Sequence, residues 1–94
     1  MDKDEAKRVL GAQLAPYRAM AYGELVKLIN AEPVVFQASG PSGTAYNIEI
    51  EAFWDDRSQT NVRLMGAIDD GGWRAFRPLT DDFILSPDGT FIGE

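Results

Sequence analysis

Three pairs of adjacent aspartates have the type and spacing best suited to chemistry in this chain: Asp55-Asp56, Asp69-Asp70 and Asp81-Asp82. Several converging carboxylate oxygens can hold Mg²⁺ or Ca²⁺. A strand over 61–68 would separate the first two pairs by about 25 Å, and the next, reversed strand would return the third pair to the first. The first and third pairs are therefore a hypothetical divalent-metal site, although aspartates at such positions more commonly serve as turn and cap residues.

A second acidic feature is Glu49 with Glu51, two residues apart on one face of a predicted strand. Glycosidases use two carboxylates roughly 5–9 Å apart, and this spacing gives about 6.6 Å. Nothing in the flanking sequence indicates a cleft, and Arg63 on the next strand is a natural cross-strand partner for Glu51. We therefore interpret the pair as solvated charges.

The segment 40–44 lacks the lysine and the following helix of a phosphate loop, so it predicts a hairpin turn.

The residue types that are missing exclude whole classes of function. The chain has no histidine and no cysteine. These absences exclude catalysis by Ser-His-Asp or Cys-His groups, and they also exclude Cys/His zinc sites and disulfide frameworks. We predict no cofactor. The sequence pI is about 4.5, which argues against a nucleic-acid partner because such proteins need a basic surface.

The charge is unevenly distributed over the 94 residues, whose net charge is −6. Residues 1–30 carry five basic and four acidic side chains, whereas residues 31–94 carry four arginines against eleven carboxylates. The N-terminus is acidic and polar, without the basic start and apolar run of a signal peptide, and no stretch approaches a membrane span. We expect a cytoplasmic protein with no membrane partner.

Two helices are predicted in the first 30 residues. Residues 2–15 place Ala6, Val9, Leu10 and Leu14 on one helical stripe. Pro16 is expected to end this helix near Leu14 or Ala15. A shorter helix follows over about 22–30.

After Pro33 the apolar period changes from 3.6 to 2, which is typical of strands. Strands are predicted over 34–39, 44–54, 61–68, 72–77 and 83–85, and 90–92 adds a few ladder bonds. The fold class is α+β, with N-terminal helices packed on an antiparallel four- to five-stranded β-meander. The chain forms a single domain over 1–94, with 1–30 helical and 33–94 in the sheet.

One turn fixes the predicted register. Asp70-Gly71 suits a type I′ hairpin, which places Ile68 opposite Trp73 and Met65 opposite Phe76. The first of these pairs, with Trp54, faces the core, and the second faces away from it.

That outward side carries more apolar residues than a solvated sheet face needs. The candidate interaction face consists of Phe53, Arg63, Met65, Arg74 and Phe76, with the arginines at its rim. This mixture is typical of protein interfaces. Two alternatives remain open: residues 79–94 fold back over this side, or the face binds a small ligand.

The C-terminal half contains Trp54-Asp55-Asp56, the motif IDDGGWR over 68–74, Asp82-Phe83-Ile84 and the motif PDGTFIGE over 87–94. Together with the helix at 22–29, these motifs resemble a small family of uncharacterised bacterial proteins over about residues 17–94. The resemblance implies no activity, substrate or catalytic residue. A helix followed by an antiparallel meander is also similar to the ubiquitin-conjugating fold, whose activity needs a cysteine that this chain lacks.

The sequence thus favours a small non-catalytic protein-interaction module, acting on a protein partner or as a homodimer. The first alternative is an acidic inhibitor or immunity-type protein whose acidic C-terminal two-thirds occupies a basic target. The second is a divalent-metal-dependent enzyme that uses the first and third aspartate pairs.

Overall fold

The computed structural model describes residues 1–72 and 77–94, which form two helices and a four-stranded sheet. The helices are α1 (Lys3–Arg18) and α2 (Tyr22–Leu28), and the strands are β1 (Val34–Ser39), β2 (Ala45–Trp54), β3 (Val62–Asp69) and β4 (Leu79–Leu85). The strand order is β1-β2-β3-β4, and every neighbouring pair is antiparallel. The predicted α+β class is confirmed. In the described residues, neither helix is long and apolar enough to cross a bilayer.

Both helices pack on one side of the sheet, which we call the inner face; the opposite side is the outer face. α1 lies over β3 and β4, and α2 lies over β2 and β3. The alternation predicted for the central strands is confirmed, because Ile48, Ile50, Leu64 and Ile68 are all buried on the inner face. Trp54, at the end of β2, is half-buried.

The first helix begins where it was predicted to begin but ends later. Asp2 caps its start, accepting a hydrogen bond from the Glu5 backbone N–H at 3.0 Å. The expected end near Leu14 is wrong, since the helix continues through Pro16 to Arg18. Proline removes one backbone bond, but tertiary contacts hold the last turn: the Arg18 guanidinium binds Glu94 and lies over two aromatic rings.

Close packing of α1 on the sheet depends on Gly66 in β3. A Cβ atom at this position would lie 2.8 Å from Cδ1 of Leu10 and 3.0 Å from Cδ2 of Leu14. Both leucines are almost fully buried. The helix therefore sits at a distance from the sheet that only glycine permits.

The predicted hairpin after β3 is wrong. The partner of β3 is β4, with Ile68 opposite Leu79 and Met65 opposite Asp82. Trp73 and Phe76 lie outside the described residues, but neither predicted pairing with β3 can form. A type I′ turn requires a positive φ at both Asp70 and Gly71. Gly71 has the expected φ of 86°, but the φ of Asp70 is not positive. The turn that would fix the predicted register therefore does not form.

The last strand is longer than the predicted 83–85, and the predicted extra bonds near its end are present. Leu85 bridges Phe91, and the Ile92 N–H donates to the Ile84 carbonyl at 2.9 Å. The C-terminal residues therefore pair with the free edge of β4.

Glu5 is buried at the junction between α1 and the β1–β2 turn. Its carboxylate accepts hydrogen bonds from the Tyr46 hydroxyl and the Ser42 hydroxyl, both at 2.7 Å, and from the Ser42 N–H at 3.1 Å. The bond from Tyr46, followed by those from Ser42, holds the pKa of Glu5 below its usual value. The same bond, with burial, raises the pKa of Tyr46 to about 12.

Two glycine-to-alanine substitutions should change stability in opposite directions. Gly66→Ala forces a methyl group against Leu10 and Leu14 and should destabilise the protein by about 1–3 kcal/mol. Gly11→Ala, in α1, meets no atom within 4 Å and should stabilise it by about 0.5–1 kcal/mol through helix propensity. The urea unfolding midpoints of both variants, compared with wild type, measure these two changes in stability. Equal midpoints would show that α1 does not press on Gly66.

The bond between Glu5 and Tyr46 should give stability a defined pH dependence. The folded pKa of Tyr46 is about 12 against 10.0 for the free side chain, so the stability it contributes is complete below pH 10.0 and is lost as pH rises towards about 12. Glu5 has a lowered pKa, so its contribution is present above its ordinary value of 4.5 and is lost as pH falls below that.

The measurement is the melting temperature as a function of pH for wild type, Tyr46→Phe and the control Tyr17→Phe. Tyr46→Phe should flatten the alkaline loss of stability, whereas Tyr17→Phe should follow wild type. Parallel alkaline curves for all three proteins would contradict the assignment.

Candidate functional site

The outer face carries a row of side chains that runs across the whole sheet. Phe53 on β2 lies opposite Arg63 on β3, and Arg63 lies opposite Ile84 on β4. Ile84 in turn pairs with Ile92 in the C-terminal segment. Because directly opposite residues project to the same face, three of these four positions give the outer face apolar side chains.

Met65 lies beside this row, between Glu51 and Asp82. We call Phe53, Met65, Ile84 and Ile92 the outer patch. The first three are half-buried, and Ile92 is 42% exposed. Since both helices pack on the inner face, no helix of the described residues covers the outer patch.

Three residues of the candidate interaction face, Phe53, Arg63 and Met65, lie together on the outer face. Arg74 and Phe76 lie outside the described residues. Ile84 and Ile92 were missed. Their alternation with Phe83 and Phe91 was a usable signal, but only the observed pairing of β3 with β4 brings them beside Arg63.

Arg63 occupies the centre of the row and not its rim. Its Nε and Nη2 atoms donate to Oδ1 of Asp55 at 2.9 and 2.7 Å, and its Nη1 atom donates to Asp82. These carboxylates, Asp55 first, raise the pKa of Arg63. The expected cross-strand pair with Glu51 is wrong, because Glu51 lies opposite Met65. Arg63 is thus already paired and ties three neighbouring segments together.

The C-terminal segment extends the outer face and does not cover it. Residues 79–85 form β4 within the plane of the sheet. Phe91 packs edge-to-face against Phe83, with ring centroids 5.6 Å apart, and the Arg18 guanidinium lies 5.0 Å and 5.4 Å from the two rings. This cluster belongs to the inner face beside α1. The alternative that residues 79–94 fold over the outer side is wrong.

The four carboxylates of the metal hypothesis do not converge. Asp55 and Asp82 hold Arg63, whereas Asp81, one residue along the strand, projects to the other face. Asp56 accepts hydrogen bonds from Ser58 and from backbone N–H groups of its own loop, and these lower its pKa to about 2. Over 1–72 and 77–94 no group of three such ligands forms. The acidic pairs serve as turns and ion pairs.

Glu5 is the other group whose environment could indicate chemistry, since it is the one buried charged side chain among the described residues. Its lowered pKa keeps it ionised near neutral pH, so it is unsuited to act as a general acid. A Cβ atom at Gly40 would lie 2.5 Å from its Oε1 atom, so the backbone closes the space beside it. Glu5 is a structural carboxylate.

A depression of about 270 Å³ lies on the outer face between β1 and β3. Apolar atoms of Val35, Ala67 and Pro78 line it together with the carboxylates of Glu49 and Asp69. This combination suits a side chain with an aliphatic stem and a cationic end.

The most exposed of the large apolar side chains described is Val35 itself, on β1. Val35 is 69% exposed and Val34 is 42% exposed. The alternation in 34–39 predicts only a strand. The missed signal is that none of its six residues is charged.

No family model matches the chain. No curated protein and no solved structure matches it either. The resemblance to a bacterial family therefore stays a prediction.

Proposed function

We propose that this protein is a small, non-catalytic interaction module that binds a protein partner through the outer patch. The observation that carries the proposal is the alignment of Phe53, Ile84 and Ile92 across the sheet, with Met65 beside them, on the face opposite both helices. An apolar group of this kind, framed by charged residues, is characteristic of contact surfaces.

The chemistry of the described residues supports binding over catalysis. The chain lacks histidine and cysteine, and two of the carboxylates around the outer patch, Asp55 and Asp82, are engaged with Arg63. General acid–base work needs a group that can change protonation at the operating pH, and neither Glu5 nor Asp56, with their lowered pKa values, meets this need.

The frame of the outer patch indicates the chemistry of the partner. Within β1–β4 the outer face carries the carboxylates of Glu49, Glu51, Asp69 and Asp82 and one cation, that of Arg63, which also binds Asp55 after the end of β2. Since Arg63 is neutralised by two carboxylates, a net acidic surface surrounds the apolar centre. A complementary partner has an apolar contact and basic residues around it.

This acidic surface is also compatible with a second function, that of an acidic inhibitor or immunity-type protein for a basic target. Exposed Glu49 and the acid-lined depression favour it. The two functions differ in what holds the complex. Binding dominated by the acidic frame weakens steeply with salt, whereas binding dominated by the apolar centre does not.

We also place the protein in the cytoplasm, where a chain without cysteine needs no disulfide.

The test exploits the neighbours of Met65. In Met65→Lys, Glu51 and Asp82 lie directly opposite the new cation, so the fold should tolerate it, with a melting temperature within a few degrees of wild type. The new charge should repel a basic partner and interrupt the apolar surface against which that partner packs. Thr80→Lys, exposed on the same face but away from the outer patch, is the matched control.

A photo-crosslinking side chain at position 53 should join one partner protein, and the same group at exposed Arg8 on α1 should not. Adding Met65→Lys should abolish the product, while adding Thr80→Lys should retain it. The proposal fails if position 53 gives no partner product or if both lysine variants behave alike. Repeating the experiment across a salt series separates the apolar from the electrostatic form of binding.

A further inference from the structure

No strand of the described residues pairs with the free edge of β1, in contrast with the other edge of the sheet. β4 carries Asp81 and Asp82 and is paired near its end by Phe91 and Ile92. β1 has no charged residue, no internal proline and six residues in regular pairing with β2. Charges, prolines and covering segments are the usual means by which exposed edge strands avoid pairing. The residues of β1 provide no charge and no proline, so its edge is available for pairing.

The hydrogen-bond pattern shows which backbone groups this edge presents. The Gly40 N–H donates to the Thr44 carbonyl at 3.0 Å, so this opposed pair is a hydrogen-bonded one. Antiparallel ladders alternate, and β1 residues 34, 36 and 38 therefore bond to β2. The N–H and C=O groups of Val35 and Gln37 point to the free edge.

The inner face of the sheet is also incomplete at β1. Ile50 and Ile48 on β2 are 2% and 1% exposed, whereas Val34, opposite Ile50, is 42% exposed and Phe36 is only half-buried. The helical layer covers β2 to β4 and leaves apolar side chains of β1 in contact with solvent.

We infer that two copies of this chain pair through β1 in antiparallel fashion, about a two-fold axis at Phe36, to form one continuous sheet. In this register Val35 of each copy opposes Gln37 of the other, and these are the residues whose backbone groups point outward. Phe36 opposes Phe36 of the second copy on the inner face, in a non-hydrogen-bonded pair where side chains approach closely.

Charge does not oppose this pairing, although each chain is acidic. The opposed residues 34–38 are all uncharged. The nearest carboxylate of the outer face, Glu49, is opposite Val35 on β2. The two copies of Glu49 would be about 16 Å apart, from three strand spacings and a two-residue offset. This exceeds the screening length of about 8 Å at physiological salt.

The first experiment measures the dimer itself. Sedimentation of wild type should show a concentration-dependent monomer–dimer equilibrium. Gln37→Pro removes an outward N–H on both sides of the axis but no bond to β2, and should raise the dissociation constant by about tenfold with the fold retained. Val35→Lys should likewise raise the dissociation constant of the dimer. Thr80→Lys, which introduces a lysine on the other edge strand, should leave the dimer intact.

The second experiment tests the register. The chain has no cysteine, so Phe36→Cys introduces a single thiol that faces its own copy with Cα atoms about 4.5 Å apart, within disulfide range. Oxidation should give a covalent dimer in high yield. Val35→Cys faces Gln37 of the second copy and should give little. A wild type that stays monomeric, or equal yields from both variants, overturns the inference.

These outcomes are independent of the proposed partner. Val35→Lys should weaken the dimer while cross-linking from position 53 persists, and Met65→Lys should abolish the cross-linked product while the dimer persists. Loss of both activities in either variant at unchanged melting temperature would show that the edge and the outer patch form a single site, which contradicts the inference.

Discussion

The fold depends on satisfying one buried carboxylate. Glu5 lies in the first turn of α1, and a buried anion without donors costs far more than one with them. Tyr46 and Ser42 supply those donors, and both belong to the β1–β2 hairpin. The start of α1 is therefore tied to one end of the sheet. From that point the helix must run across β3, where Gly66 admits it, and the helical layer consequently leaves β1 uncovered.

The sequence predicted the faces of the strands better than their partners. The alternation of β2 and β3 alone determines which side chains turn inward, so Leu64 and Met65 were assigned to the correct sides. The predicted partner of Ile68 was Trp73, whereas the structure pairs it with Leu79, six residues further along. Because six is even, this error changes every neighbour and no face. Register depends on a turn, and Asp69 ends β3 by accepting the Gly71 N–H at 2.8 Å.

The features that sequence could not provide all need contacts between distant segments. Local propensity ends α1 at Pro16, whereas the ion pair between Arg18 and Glu94 joins residues 76 positions apart and supports one more turn. Arg63 was expected to pair with Glu51 from a general cross-strand rule. Its observed partner Asp82 comes from β4, whose position depended on the missed register. Ile92 joined the outer patch for the same reason.

The two proposed surfaces are geometrically linked. Antiparallel strands are related by a two-fold axis perpendicular to the sheet, so in the proposed dimer both helical layers lie on one side and both outer patches on the other. A partner with two matching sites, or two partners in one assembly, can then engage both patches at once. Linked binding of this kind strengthens association by effective concentration without any new contact. An apolar patch of only a few half-buried side chains thereby becomes adequate for stable recognition, because each copy needs to contribute only part of the affinity.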